Sequence, residues 1–534
     1  MKQIPPPPPA GAVSQKNHAL RRERRAEIKQ SGLRLRRGRY RRKTMLSGEK
    51  EERKINKAVP APAGAVAKRQ GGPMLRQTEK FKSTAIDMTS GPILGQLVAF
   101  ALPLMLGNVF QMLYNTVDSV IVGNFVSKQA LAAIGSTTMI VNMLVFFFNG
   151  FSTGAVVTIG QFYGAQKLDK LHRAVETTMA ATFLLSLVFT VAGVLSVKPL
   201  LRMMSTPEDV FEDATVYLRI YIGGISGLLV YNIGSGILRA VGDSKRPLYF
   251  LILTSLINIV LDLLFVVVLK TGIAGAAVAT ILSQFLSAAL ILLLLTKTKD
   301  IYRLDWKELK LDGLILGKIF AIGMPAGIQS VLTAFSNIFV QSYINSFGSD
   351  CMAGWSSYNK LDQFIMLPMQ SMAIASTTFV SQNVGAGNDR RADRGTVASL
   401  LLTCGITGVI IALLVGFAPA SVRLFSPDEA VIAYGVLFIR TNVVFLLFNC
   451  INHVLAGALR GRGDSKAPMI IMLSTFVGLR QVYLYVVTHY IANTPKLVGF
   501  GYPVGWVSCC VIEIIYYVIR RRKREQEQIQ NALS

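Results

Sequence analysis

Asp118 and Asp262 each sit inside an apolar run long enough to cross a bilayer. A charge placed there costs about 3 kcal/mol or more, so each acid is a candidate for function. Asn108, Gln111, Asn115 and Asp118 are spaced 3, 4 and 3 apart and form one helical stripe. Asn258 and Asp262 are one turn apart and share a face. If both helices point the same way, the two carboxylates lie at matched depth, with Asn115 and Asn258 one turn below. Such a pair can hold a proton or coordinate a cation such as sodium, because adjacent carboxylates in a low dielectric do not both stay ionised. The plainer alternative is two unrelated acids, each in its own packing contact. Thr280 and Gln284 add a third polar face on a further run.

The second half of the chain carries different charges. Arg480 falls within one apolar run and Glu513 in the last, which suggests an ion pair stabilising that half; a substrate contact is the sharper reading. Lys360 and Asp362, two apart, cannot share a helical face, so each lines a cavity or pairs across helices. Pro103, Pro325 and Pro368 fall inside runs and are expected to interrupt them.

These residues must be carried by helices. The chain is 51% hydrophobic and 16% charged, with mean hydropathy +0.45. Twelve apolar runs follow one another: 93–123, 131–157, 174–197, 214–239, 247–269 and 272–296, then 314–346, 353–379, 396–418, 432–459, 468–490 and 499–519. They are too long for the roughly ten-residue strands of a membrane barrel. The loop signature Leu-Arg-x-x-Gly-Asp-Ser-Lys occurs twice, with Arg239 and Arg460 in register, an offset of 221 residues. The same offset takes Gln161 to Gln382, Gly164 to Gly385 and Arg219 to Arg440. It takes Asp262 to Tyr483 and Asn258 to Leu479, so the acid pair belongs to the first half alone.

Loop charge orients the helices. With the N-terminus inside, each inside loop holds three to five Lys or Arg. The outside loops hold only Lys128, Lys198, Arg202, Lys270, Arg423 and Lys496. Both repeated turns then face the cytoplasm, so the halves share one orientation. The expected fold is an all-α polytopic membrane protein of twelve transmembrane helices in two six-helix lobes, a parallel internal repeat. The lobes span 88–296 and 314–519, joined by a cytoplasmic linker at 297–313, with both termini cytoplasmic.

Residues 1–87 alternate Arg-rich and Pro/Ala/Gly-rich pieces without an apolar period, the composition of a disordered tail. Residues 1–90 carry +16 of the net +26. That tail could meet anionic lipid or nucleic acid through charge alone, with no specific nucleic-acid partner implied, or be an upstream extension before Met74 or Met88. Residues 520–534 form a second basic tail. The five cysteines show no metal spacing. No nucleotide, nucleophile or metal motif suggests an enzyme or a cofactor.

The segment from about 87 to 520 resembles the multidrug and toxin extrusion (MATE) transporters, especially the bacterial branch. The resemblance rests on Ala101-Leu-Pro-Leu-Met-Leu-Gly-Asn108, Val117-Asp-Ser-Val-Ile-Val-Gly123, Gln161 to Ala165, the repeated turns and Asn258-x-x-x-Asp262. It implies a plasma-membrane exporter of small organic, often cationic compounds, driven by exchange for protons or sodium ions. It also implies two lobes around a V-shaped cavity and alternating access. By the same resemblance the coupling cation is held by Asp118, Asn258, Asp262 and Thr280, with sodium possible at the two acids. Gln111, Asn115, Gln284 and Asp362 are the residues expected to line the substrate cavity. A monomer in the lipid bilayer is expected. A lipid-linked glycan flippase of the same wider superfamily is the alternative; it would favour a strongly cationic cavity.

Overall fold

The computed structural model describes residues 85–531, so the reading of 1–84 as a tail lies outside the described residues. Among the described residues every regular element is helical. The first lobe contains α1 (Ile93–Phe125), α2 (Lys128–Gly164), α3 (Leu168–Met203), α4 (Glu208–Gly223 continued by Ile225–Ala240), α5 (Lys245–Val268) and α6 (Gly272–Lys297). The second contains α7 (Gly313–Asn345), α8 (Ser349–Gly385), α9 (Asp389–Gly416), α10 (Glu429–Gly461), α11 (Lys466–Ile491) and α12 (Pro495–Asn531). Eleven are long and apolar enough to cross a membrane, and bent α4 supplies a twelfth. Each expected run is covered by one of them. The helices extend past the runs because 33 to 37 residues rise about 50–55 Å, more than a hydrocarbon core of about 30 Å.

Local chemistry sets the ends. Ser127 caps α2 by accepting from Ala130 N at 3.0 Å, and Asp312 caps α7 by accepting from Leu314 N at 2.9 Å. The repeated turns stop one helix and start the next. Gly242 (φ 98°) and Gly463 (φ 88°) adopt a left-handed conformation that glycine reaches without penalty. Asp243 N and Asp464 N bond back to Leu238 O and Leu459 O at 2.9 and 3.0 Å, closing matched Schellman ends. The Asp243 carboxylate then accepts from Lys245 N and Arg246 N, satisfying the first turn of α5.

The prolines behave differently from expectation. α1, α7 and α8 run through Pro103, Pro325 and Pro368 as continuous helices. The sharp bend, 46°, is in α4 at Gly223 and Gly224. A side chain at Gly224 would meet Ile281 of α6, with Ile281 Cδ1 only 2.6 Å from its Cβ.

The lobes meet along glycine. Lipid gives helices no hydrophobic reason to associate, so close backbone packing has to hold them together. Gly150 and Gly154 of α2 lie directly against Gly323 and Gly327 of α7. A Cβ on Gly323 would stand 2.9 Å from Gly150 O and from Phe151 Cα. α1 also crosses to α8, with Asn108 Nδ2 3.4 Å from Ser371 Oγ. These approaches all fall in the halves of α1, α2, α7 and α8 nearest the two basic turns. Toward the opposite face, among the described residues, no hydrogen bond or ion pair joins the lobes. Among the described residues the polar contacts between the lobes are thus confined to the basic face.

Two boundaries differ from the sequence reading. Residues 85–87, assigned with the tail, are packed: Ile86 N donates to Gly242 O at 3.1 Å. Residues 520–531 continue α12 as helix, and Gln528 Nε2 reaches Asp389 Oδ2 at 2.9 Å. The linker is also ordered, with Tyr302 buried and Trp306 stacked on Phe183 at 5.9 Å.

Candidate functional site

α5 carries Asn258 and Asp262 into the first lobe, 2% and 1% exposed. Directly after the acid its backbone passes into a π-helical turn, Leu263–Val268, a distortion frequent at functional sites. Both oxygens of Asp262, both amide atoms of Asn258 and Oδ1 of Asp118 are buried without a hydrogen-bond partner. Unpaired buried polar atoms are costly, so a site of this kind calls for a proton, water or a cation. Asp118 on α1 lies close enough for its charge to act on Asp262.

Three tyrosines complete the pocket. Tyr217 on α4 lies near both acids and near Tyr114 and Tyr221. Its ring stacks with Tyr221 at 6.1 Å. Gln111 sits beside the Tyr114 hydroxyl, and Gln284 of α6 beside that of Tyr221. Thr280, one turn before Gln284, is buried and donates its hydroxyl to Ala276 O at 3.0 Å. The structure thus gathers Asp118, Asn258, Asp262, Gln111 and Gln284, with Thr280 on the same face of α6. Asn115 is exposed, and Asn108 turns to the other lobe instead. The tyrosines were missed in the sequence, although Tyr114 precedes Asp118 by one turn and Tyr217 and Tyr221 share a face. Among the described residues no three His, Cys, Asp or Glu converge. The donor set is two carboxylates with amide, hydroxyl and phenol oxygens, hard ligands suited to a proton or an alkali cation.

The matching region of the second lobe is built otherwise. Tyr483 stands at the position of Asp262 and donates to Leu497 O at 3.1 Å. Arg480, 3% exposed, gives Nη2 to Ser336 Oγ at 2.6 Å and lies 4.7 Å over the Tyr502 ring. Asp362 leaves Oδ1 unpaired beside Tyr358 and Tyr502, while Lys360 turns away to cover Phe425 at 5.3 Å. The expected Arg480–Glu513 ion pair does not form. Arg480 is level with Gly501 of α12, and Glu513 lies twelve residues, about 18 Å, further along that helix. Glu513 is instead within range of Arg460, which donates to Gln329 Oε1 at 2.8 Å.

Comparison with known proteins agrees with this architecture. The MatE family model matches twice, over residues 103–264 and 325–486. A probable multidrug resistance protein of Bacillus subtilis, YpnP, is 31% identical over 444 residues, 82% of this chain and 98% of its own. The probable multidrug resistance protein NorM of Thermotoga maritima is 26% identical, covering 72% of this chain and 82% of that one. A solved structure described as the outward-facing conformation of a multidrug resistance MATE family transporter superposes with TM-score 0.78 at 22% identity. It covers 83% of this chain and 99% of that one. With two matched repeats, twelve spans and these relatives, the chain belongs to the MatE family of multidrug and toxin extrusion transporters.

Proposed function

We propose that this protein is a secondary active exporter that moves small organic, often cationic compounds out across the plasma membrane in exchange for protons or sodium ions. The observation that carries this reading is the orphaned acid pair in the first lobe. Asp118 and Asp262 share a pocket with Asn258, and their buried oxygens have no protein partner. Two ionised carboxylates in one buried pocket repel, so the pocket takes up a cation or a proton to lower its charge. Arrival of the ion from the open side favours release of bound compound, and its loss to the cytoplasm resets the pocket. Alternating access is supported by the confinement of the polar contacts between the lobes to the basic face, which would have to break when that face opens. The basic face is assigned to the cytoplasm by its loop charges, which puts both termini there. The relatives' names, multidrug resistance proteins, support organic compounds as cargo.

The test is flux in proteoliposomes of the purified full chain. Addition of a lipophilic organic cation, with and without sodium, is expected to evoke counter-movement of protons or of sodium. Compound movement that ignores both gradients would overturn ion exchange. Orientation is read in cells from Lys245→Cys and Lys466→Cys in a cysteine-free background, both exposed positions. Neither is expected to react with an impermeant thiol reagent added outside.

A further inference from the structure

At the closed basic face two glutamines, related by the internal repeat, each reach into the other lobe. Gln161, near the end of α2, donates Nε2 to Gly461 O at the end of α10, 3.1 Å. Gln382, near the end of α8, donates Nε2 to Ala240 O at the end of α4, 2.8 Å. The offset of 221 residues that relates the two donors also relates the two acceptors, so each bond is the image of the other. An exchange of this kind is what a two-fold interface produces: a residue contacts its partner's site and is contacted in return. Between the donors, Gly164 and Gly385 each place a bare Cα against the partner lobe. A Cβ on Gly164 would lie 2.7 Å from the Gln382 carbonyl carbon, and one on Gly385 2.8 Å from that of Gln161.

The chain entering each lobe adds a strap across this seam. Before α1, Met88 N donates to Gln382 Oε1 at 3.3 Å. The Met88 carbonyl accepts from Asn383 Nδ2 and Arg391 Nε at 2.9 and 3.1 Å. Before α7, the Lys310 carbonyl accepts from Thr177 of α3 at 3.2 Å, and Asp312 N donates back to the same hydroxyl at 3.1 Å. Each strap therefore docks on the opposite lobe. The carbonyls taken by the glutamines are the last of α4 and α10, which have no partner inside their own helices. Opening this face leaves those two carbonyls and both glutamine amides to find new partners together.

We propose that Gln161 and Gln382 are the paired latch of the cytoplasmic gate: reciprocal, equivalent side chains that hold the lobes closed on that face during the outward-open half of the transport cycle. They act on the transport reaction by setting the conformational balance, as positioning residues outside the acid pocket. The proposal rests on the alternating-access reading.

The experiment places spin labels at Lys167→Cys and Asn388→Cys, exposed positions related by the same repeat, in the full chain freed of native cysteines. Distances between them are measured in detergent and in vesicles, without compound or gradient. Gln161→Met and Gln382→Met keep side-chain length and remove the donor. Each is expected to shift the closed-to-open ratio about three- to tenfold toward open, Gln382→Met toward the upper end because its Oε1 also accepts from Met88 N, and the double variant by roughly the product. Gly385→Ala forces the backbones apart and is expected to open the face further than the double variant. If Gly385→Ala opens it while the two Met variants, singly and together, keep the wild-type distribution, the latch is wrong and alternating access stands. A shift carried by one glutamine alone overturns the reciprocity. If neither these variants nor a change of ion moves the distance, the alternating-access reading falls with the latch.

Discussion

The two lobes share a backbone plan and divide the chemistry. Their turns close with the same Schellman bonds, and their glutamines reach across to equivalent carbonyls. Yet where the first lobe buries Asn258 and Asp262, the second has Leu479 and Tyr483, and where the first has Asp118 the second has Phe339 or Val340. In the first lobe Asp118 and Asp262 leave oxygens unpaired in one pocket; in the second, Asp362 and Glu513 also leave oxygens unpaired, but the region matching that pocket is filled by Arg480, bonded to Ser336 and lying over Tyr502. Orphaned polar atoms are tolerated where a ligand is expected to satisfy them, and satisfied ones lock a packing arrangement. On the proposed reading, the repeated frame serves opening and closing in both lobes, while the ion chemistry belongs to the first.

The widest gap between the lobes is expected in their acids. Asp118→Asn and Asp262→Asn should each lower gradient-driven export by about 100-fold or more, because a neutral amide cannot take up and release the coupling ion. Asp362→Asn in the second lobe should cost only a few-fold. Initial rates of compound export in vesicles at matched insertion measure all three. Equal losses from Asp262→Asn and Asp362→Asn would erase the division of labour.

Stability should separate the lobes in the opposite sense. Arg480→Met removes the donor to Ser336 and the cation over Tyr502, and leaves that hydroxyl without its charged partner. A loss of about 1–3 kcal/mol is expected, seen as a lower melting temperature in detergent, with the ion dependence of export unchanged. The turn glycines give a finer comparison. Gly242→Ala and Gly463→Ala each place a side chain at positive φ, costing about 1–2 kcal/mol. The added Cβ at Gly242 also meets the Ile86 backbone, its carbonyl carbon 3.1 Å away, whereas that at Gly463 finds only the Gln161 amide at 3.7 Å. Gly242→Ala should therefore lower the melting temperature more.

Much of this was legible in the sequence because it is local. Apolar run length fixes the spans, and Gly-Asp-Ser-Lys carries its own turn chemistry. The spacing of Asn258 and Asp262 puts them on one face wherever the helix goes. What could not be read depended on register between helices. Arg480 and Glu513 looked close when counted along their own runs, but α12 enters level with Gly501 and carries Glu513 past reach. The bend in α4 hid behind the more conspicuous prolines, since a Gly-Gly step has no side chain to mark it. Tyr114, Tyr217 and Tyr221 come to the acid pocket from two helices far apart in sequence, and phenols are common enough in membrane helices to pass unnoticed. Gln161 and Gln382 stood out as a repeated pair, but their partners are backbone carbonyls, which every residue has.

The smallest effect should distinguish the two straps. The strap before α1 is braced by an acid, Asp87, which accepts from Thr89 N, while the strap before α7 docks through the neutral hydroxyl of Thr177. Burial acts to raise the Asp87 carboxyl, but hydrogen bonds from the hydroxyls of Thr89 and Ser90 and from Thr89 N, with the charge of Arg391, outweigh it and hold the carboxyl below its ordinary value. A lowered value means that ionised Asp87 stabilises the folded strap. That contribution is complete above the ordinary carboxylate pKa of about 4 and is lost as pH falls through the lower folded value. Protection of the Met88 amide against deuterium exchange, pulse-labelled after incubation at each pH, should be flat from about pH 8 to 5 and fall below about pH 4. Asp87→Asn should reduce it a few-fold at neutral pH. The Asp312 amide, bonded to the neutral hydroxyl of Thr177, should lose no protection in Asp87→Asn. Loss of protection at both straps in that variant would mean that they open as one unit with the lobes, and the asymmetry between them would have no independent effect.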